Sequence, residues 1–149
     1  MKLATLAIIR KDNQILLGYK KRGFAEGVLN GPGGKLESSE NTVECIIRET
    51  REEVGITLKD PKLCGVLEFF DGNEKDWMVF VFRADSFSGE VSETEEIKPV
   101  WVSIDDIPYD KMWQDDKLWL PYVLDNKIVH GTFYFNKGSI EKNNVRIIE

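Results

Sequence analysis

Apolar positions in this chain gather into short runs separated by polar turns. Leu3 to Arg10, Gln14 to Lys20, Leu63 to Phe70, Trp77 to Ala84, Val100 to Ser103 and Gly131 to Phe135 are rich in Val, Ile, Leu and Phe and bounded by Gly, Asp and Asn. That pattern predicts strands. Lys11-Asp12-Asn13 and Asp71-Gly72-Asn73 fall between consecutive runs and carry hairpin-turn chemistry. Val145 to Ile148 is read as an added edge strand. The period changes after residue 38, where Val43, Ile47, Thr50 and Val54 recur at steps of three or four, the buried stripe of an amphipathic helix. Ser38 and Ser39 offer cap oxygens, Glu40 falls in the first turn and Gly55 fits the stop. A second helix is expected from Asp116 to Asn126, with a kink or restart at Pro121. Ser86 to Glu96 reads as a surface loop. Strands, a helix and strands again suggest a mixed sheet covered by helices, an α/β or α+β sandwich. There is no linker, low-complexity tract or repeat, so residues 1–149 are expected to form a single domain.

Composition narrows the class. A chain of 149 residues buries roughly two thirds of its unfolded surface, enough for a core without staples. No apolar run approaches the ~20 residues a membrane helix needs, so no membrane partner is expected. The opening residues, Met1 to Arg10, read as a first strand rather than a secretory leader. Two cysteines, Cys45 and Cys64, make neither a disulfide framework nor a zinc site and read as small buried apolar residues, which suggests a reduced, cytoplasmic protein. The net charge of -6, from 26 acids against 20 bases, gives no counterion-release drive toward a nucleic-acid polymer. A small anionic substrate remains open, but acids near it would need a bridging cation.

The informative stretch runs from Gly33-Gly34-Lys35 through Arg48-Glu49-Thr50-Arg51-Glu52-Glu53-Val54-Gly55-Ile56. At about 100° per residue, Glu49, Glu52 and Glu53 share one sector of the helix. Such a face reads either as ordinary solvated helix surface or as an oxygen-rich cation site suited to Mg²⁺ or Mn²⁺. The adjoining glycines Gly31, Gly33 and Gly34 tilt the choice toward a site, because they let backbone approach a ligand closely.

These residues resemble the Nudix family. Gly34, five residues, Glu40, seven residues, then Arg48-Glu49-Thr50-Arg51-Glu52-Glu53-Val54-Gly55-Ile56 is similar to the Nudix box, G-x5-E-x7-R-E-U-x-E-E-x-G-U, with every invariant place matched. Thr50 stands where a bulky aliphatic residue is usual. Leu16 to Phe24, Leu29 to Lys35, Met112 to Asp116 and Trp119 further resemble the MutT-type branch, the 8-oxo-dGTP diphosphatases, with Leu29 and Pro32 replacing aromatic residues usual on either side of Asn30-Gly31. The resemblance implies an α/β/α sandwich with a mixed central sheet. It also implies Mg²⁺-dependent hydrolysis, Mn²⁺ serving as well, of oxidised purine nucleoside triphosphates to the monophosphate and pyrophosphate. By position in the box, Glu49, Glu52 and Glu53 would hold metal, the Gly33 carbonyl would add a ligand, and Arg48 would steady the cluster. Glu52, Glu49 or Glu96 would handle the water proton, with Glu96 a further metal ligand.

In the same reading Lys20 would meet a phosphate and Lys35 is a weaker candidate, while Lys21 and Arg22 read as a solvated basic turn. Asn30 offers a donor and an acceptor to a purine edge. Asp115 and Asp116 would raise each other's pKa if both line a buried pocket; the competing role is a helix cap before Lys117. Trp113 and Phe24 would stack on the base. Trp101, Trp119, Tyr122, Phe133 and Phe135 are expected in the core, and His130 is expected to be structural. The partner is thus a small nucleoside triphosphate, and the chain a monomer or small homo-oligomer. The competing functions are a Nudix hydrolase of a nucleotide sugar or dinucleotide polyphosphate, and a module that senses a nucleotide without cleaving it.

Overall fold

A computed structural model describes residues 1–23 and 26–149. Its spine is β1 (Lys2–Lys11). On one side β1 runs parallel to β7 (Glu74–Ala84), from Lys2 opposite Trp77 to Ile9 opposite Ala84. On the other side it changes partner. Its last residues, Arg10 and Lys11, pair antiparallel with β2 (Gln14–Lys20), whereas Ala4 to Leu6 pair with β4 (Gly33–Lys35). The N–H of Ala7 donates to the Pro32 carbonyl (2.7 Å) at the crossover. The sheet therefore splits along one edge of β1, and the split leaves room for a cavity.

Among the described residues the large sheet runs β11-β10-β6-β7-β1-β2-β3, where β3 is Leu29–Asn30, β6 is Lys62–Asp71, β10 is Val129–Asn136 and β11 is Ser139–Ile147. β9 (Ile97–Ser103) pairs with the far edge of β2. Two parallel pairings, β1 with β7 and β6 with β10, sit among antiparallel ones, so the sheet is mixed as expected. β2 has the bounds expected from the sequence, β1, β6, β7, β9 and β10 exceed theirs by a few residues, and the short strands β3 and β4 fall where no strand was expected. β11 is a full partner of β10 rather than the short Val145–Ile148 edge, its polar residues obscuring the pattern.

One helix covers each face. α1 (Thr42–Val54) closes one core with Ala7, Ile9, Leu16, Ile56 and Phe82. α2 (Asp116–Leu124) closes the other through Trp119, Leu120 and Val123, which meet Leu67, Val81 and Phe133. α2 continues through Pro121 and stops two residues short of Asn126. This is the sandwich anticipated from the pattern.

Four local expectations are corrected. The cap of α1 is Asn41, not Ser38 or Ser39: its side chain accepts from the Glu44 N–H (2.8 Å), and Glu44 returns the bond to the Asn41 N–H (3.0 Å). This capping box satisfies donors at both ends of the first turn, and Glu40 is left outside the helix. The buried stripe is also rotated, because Cys45 and Ile46 face the core and Val43 is 41% exposed. Tyr122 is exposed on α2 rather than buried. The segment from Ser86 to Glu96 is more ordered than a free loop. Its β8 (Phe87–Ser88) pairs with β5 (Thr57–Leu58), and the Ser92 N–H donates to the Val54 carbonyl (2.9 Å). Among the described residues no helix is long and apolar enough to cross a membrane.

Candidate active site

The glycine strand β4 lies between β1 and α1, and its glycines are required by that position. A Cβ at Gly33 would collide with the Thr5 carbonyl, and one at Gly34 would fall 2.5 Å from the Glu49 carboxyl carbon. Only backbone fits, so the Glu49 carboxylate rests directly against the strand. Glu53 comes closer still: its Oε1 accepts the Gly33 N–H (2.9 Å), and the residue is 9% exposed. Burial pushes the Glu53 carboxyl up to about 8; the Gly33 bond and Lys20 pull it back, while Glu49 and Glu96 push it further. Glu49 is likewise raised, first by burial, with Arg48 opposing.

Arg48 organises this acidic ground. Its Nε and Nη2 donate to the two carboxylate oxygens of Glu40 (2.6 and 3.0 Å), and its Nη1 donates to Glu49 (2.9 Å) and Glu52 (3.2 Å). A forked pair of this kind is directional as well as strong. It holds the Glu40 carboxyl down to about 2, the Arg48 bonds being the largest cause. The invariant Glu40 thus serves as the anchor of Arg48 in this fold.

Glu52 points outward, its side chain 60% exposed, and Glu96 is exposed on the segment before β9. Among the described residues no three such side chains already stand gathered as a metal cluster. The donor set still suits a hard cation. Two carboxyl groups are crowded and desolvated at Glu49 and Glu53, and the side-chain-free cradle of Gly34 lies against one of them. Oxygen donors of this charge are what Mg²⁺ and Mn²⁺ take. For Gly33 the recorded bond is through its N–H.

From this ground a cavity of about 390 Å³ runs along the split in the sheet. Lys20, Asn30, Gly33, Glu53, Trp113, Asp115 and Asp116 all line it. The two aspartates are 5% and 3% exposed. Asp115 precedes α2 but makes no cap bond, since it has helical backbone and its Oδ2 accepts the Trp119 indole N–H (2.8 Å). The competing cap role is therefore not realised. Asp116 Oδ2 is buried with no hydrogen-bond partner among the described residues. Desolvation raises both pKa values, Asp116 well above the ordinary range, with the charge of Asp115 adding to it. Asn30 Oδ1 accepts the Gly31 N–H (3.0 Å).

Of the residues singled out in the sequence, Lys20, Asn30, Gly33, Glu53, Trp113, Asp115 and Asp116 meet in one cavity. Glu49 touches its glycine wall, while Arg48, Glu52 and Glu96 stand outside the lining. Phe24 lies outside the described residues. Lys35 is placed over the Trp77 ring, 5.6 Å from its centre, and Lys21 and Arg22 pair with Glu93 and Glu95. His130 is structural in the sense expected: its Nε2 meets Glu68 (2.5 Å) and its Nδ1 the Arg146 guanidinium (2.8 Å), and none of these three side chains is in the cavity lining. Sequence reasoning missed the apolar wall, made by Leu67, Phe69, Trp77, Val79 and Phe135. Only cross-strand register reveals it: Phe69 lies opposite both Trp77 on β7 and Phe133 on β10.

Comparison with known proteins agrees with this geometry. The family model of the NUDIX domain matches residues 1–123. Over 135 residues the chain is 42% identical to the oxidized purine nucleoside triphosphate hydrolase of Danio rerio, covering 90% of this chain and 86% of that one. The Mus musculus protein of the same name is 37% identical over the same shares. The Mutator MutT protein of Bacillus halodurans superposes with a TM-score of 0.86 at 30% identity, covering 97% of each chain. The chain belongs to the Nudix family and is a Nudix hydrolase.

Proposed function

We propose that the protein hydrolyses oxidised purine nucleoside triphosphates such as 8-oxo-dGTP to the monophosphate and pyrophosphate, with Mg²⁺ or Mn²⁺, and so clears them from the nucleotide pool. The observation that carries the reading is the shared cavity, with a buried aspartate pair in the same space as Glu53 and the glycine strand. The names of the fish and mouse relatives support it.

In this reading Asp116, whose carboxyl burial pushes well up, holds its proton and donates to a purine carbonyl, while Asp115, held by Trp119, accepts from ring or exocyclic N–H. Asn30 reads a further edge, and Trp113 stacks on the base, an interaction worth roughly 1–3 kcal/mol. Phe24 is the second stacking candidate. Lys20 meets a phosphate. Glu49, Glu52 and Glu53, with the Gly33 carbonyl and Glu96, would hold the cation. When bound, the cation lowers the pKa of attacking water and offsets phosphate charge. Glu53 is oriented by the Gly33 N–H, and Arg48 holds Glu49 and Glu52 in register. Water adds across the link between the α- and β-phosphates, its proton passing to Glu52, Glu49 or Glu96. Residues 1–149 act as one Nudix domain, in the cytoplasm, where both buried cysteines stay reduced, as a monomer or small homo-oligomer.

A panel of nucleotides with Mg²⁺, following pyrophosphate separately from orthophosphate, tests the reading. Pyrophosphate release fastest with oxidised purine triphosphates is expected. Cleavage confined to nucleotide sugars or dinucleotide polyphosphates would overturn it.

A further inference from the structure

The segment before β9 closes the C-terminus of α1, and one hydroxyl does most of the joining. A helix leaves its last carbonyls without partners of its own. Here the Thr94 Oγ1–H donates to the Glu53 carbonyl (3.0 Å) and the Ser92 N–H takes Val54 (2.9 Å). The same Thr94 oxygen accepts from the Glu96 N–H (3.3 Å) and the Ile97 N–H (3.2 Å), while the Thr94 N–H donates to the Ile97 carbonyl (3.0 Å). A single oxygen thus ties the backbone of Glu53, on the helix, to that of Glu96, on a different segment. Both ends are otherwise constrained. Glu53 is fixed by Gly33, and the Glu96 carbonyl accepts the Lys21 N–H (2.8 Å). Glu96 also lies close enough for its charge to act on the Glu53 carboxyl.

We infer that Thr94 is a positioning residue for hydrolysis, setting the spacing between Glu53 and Glu96 through its hydroxyl. The inference rests on the proposed function, in which both carboxylates serve the reaction. The chemistry explains why a hydroxyl is needed, since it donates and accepts at once. The branched Cβ of threonine limits its rotamers and keeps the oxygen aimed. Valine has the same branched shape with neither capacity. A misplaced charged group at a phosphoryl-transfer site lowers turnover more than ground-state binding, because positioning carries the catalysis. The base pocket, formed by other elements, should keep its affinity.

The test is a cycle of Thr94→Val, Glu96→Gln and the double variant, with Thr94→Ser as the conservative rescue and Thr94→Ala beside it, so that a folding defect in one variant does not decide the result. Two quantities are read: kcat and KM for pyrophosphate release from 8-oxo-dGTP, and the affinity for Mn²⁺ alone, by electron paramagnetic resonance of the nucleotide-free protein. Thr94→Val and Thr94→Ala are expected to lower kcat about tenfold or more with KM within twofold, and Thr94→Ser to stay within threefold of the parent. Mn²⁺ binding should weaken in Thr94→Val and in Glu96→Gln. The double variant should be no worse than Glu96→Gln alone in either quantity, the mark of residues acting as one unit. Parental kcat and Mn²⁺ affinity in Thr94→Val and Thr94→Ala would overturn the inference, as would losses that multiply in the double variant. If the parent releases no pyrophosphate from any triphosphate, the functional reading fails, while the Mn²⁺ cycle still judges the link between Thr94 and Glu96.

Discussion

Glu53 and Asp116 are both buried acids, and their surroundings assign them different work. Glu53 accepts a backbone N–H and sits among other carboxylates, whereas Asp116 has a buried oxygen with no partner among the described residues. Replacing Glu53 with Gln keeps the shape and the Gly33 bond but removes the charge. The expected outcome is an intact fold by circular dichroism and a loss of at least ~100-fold in turnover, the scale of a positioned catalytic group. Asp116→Asn has a different signature. Its folded pKa lies above the unfolded value, so the stability it lends is full below the unfolded pKa of about 3.9 and is lost as pH rises through the folded value. Asp116→Asn should therefore melt higher than the parent at pH 8 to 9 and close to it at pH 4. Thermal melts across that range check the sign. The aspartate pair was visible in the sequence as adjacent letters. Its burial was not, since that depends on what β6, β7 and β10 bring to the cavity.

At the scale of elements, α1 shows how far spacing reaches. The box fixed which carboxylates share a face, because residues three and four apart must neighbour one another on any helix. It could not fix the cap, since Ser38, Ser39 and Asn41 carry equivalent oxygens and only the path of the chain selects Asn41. Nor could it reveal the degree of burial at Thr50, which stands in a usually aliphatic place. That residue is fully buried, and its hydroxyl has no partner among the described residues. A buried unsatisfied hydroxyl costs about 1–3 kcal/mol, and an apolar replacement of the same shape removes that cost. Thr50→Val should raise the denaturation midpoint in urea with an unchanged slope, which corresponds to about 1 kcal/mol of added unfolding free energy. A lower midpoint would show that the hydroxyl is satisfied in solution.

Across the whole molecule, the longer strands were legible, the two- and three-residue strands β3, β4, β5 and β8 were not, and neither was the strand order. Alternation marks a strand, but nothing in Leu63 to Phe70 states that it lies between β7 and β10, and the apolar wall of the cavity follows from that placement. Phe133 joins the core to this wall, fully buried with its ring 5.4 Å from Phe69. Phe133→Ala should cost roughly 3–5 kcal/mol, a drop of about 10 °C in Tm at this chain length. Because Phe69 lines the cavity, KM for the nucleotide should rise in the same variant, which calorimetry and steady-state kinetics read separately.

The change of partner along β1 has a consequence for substrate choice. The aspartate pair and Glu53 line one cavity beside this seam, and a 2.7 Å bond between Ala7 and Pro32 marks where the seam opens. A relative that shifted this junction would widen or narrow the cavity through its backbone wall. A change in cavity size thus has a route through the backbone of one strand, without replacing the side chains that line it.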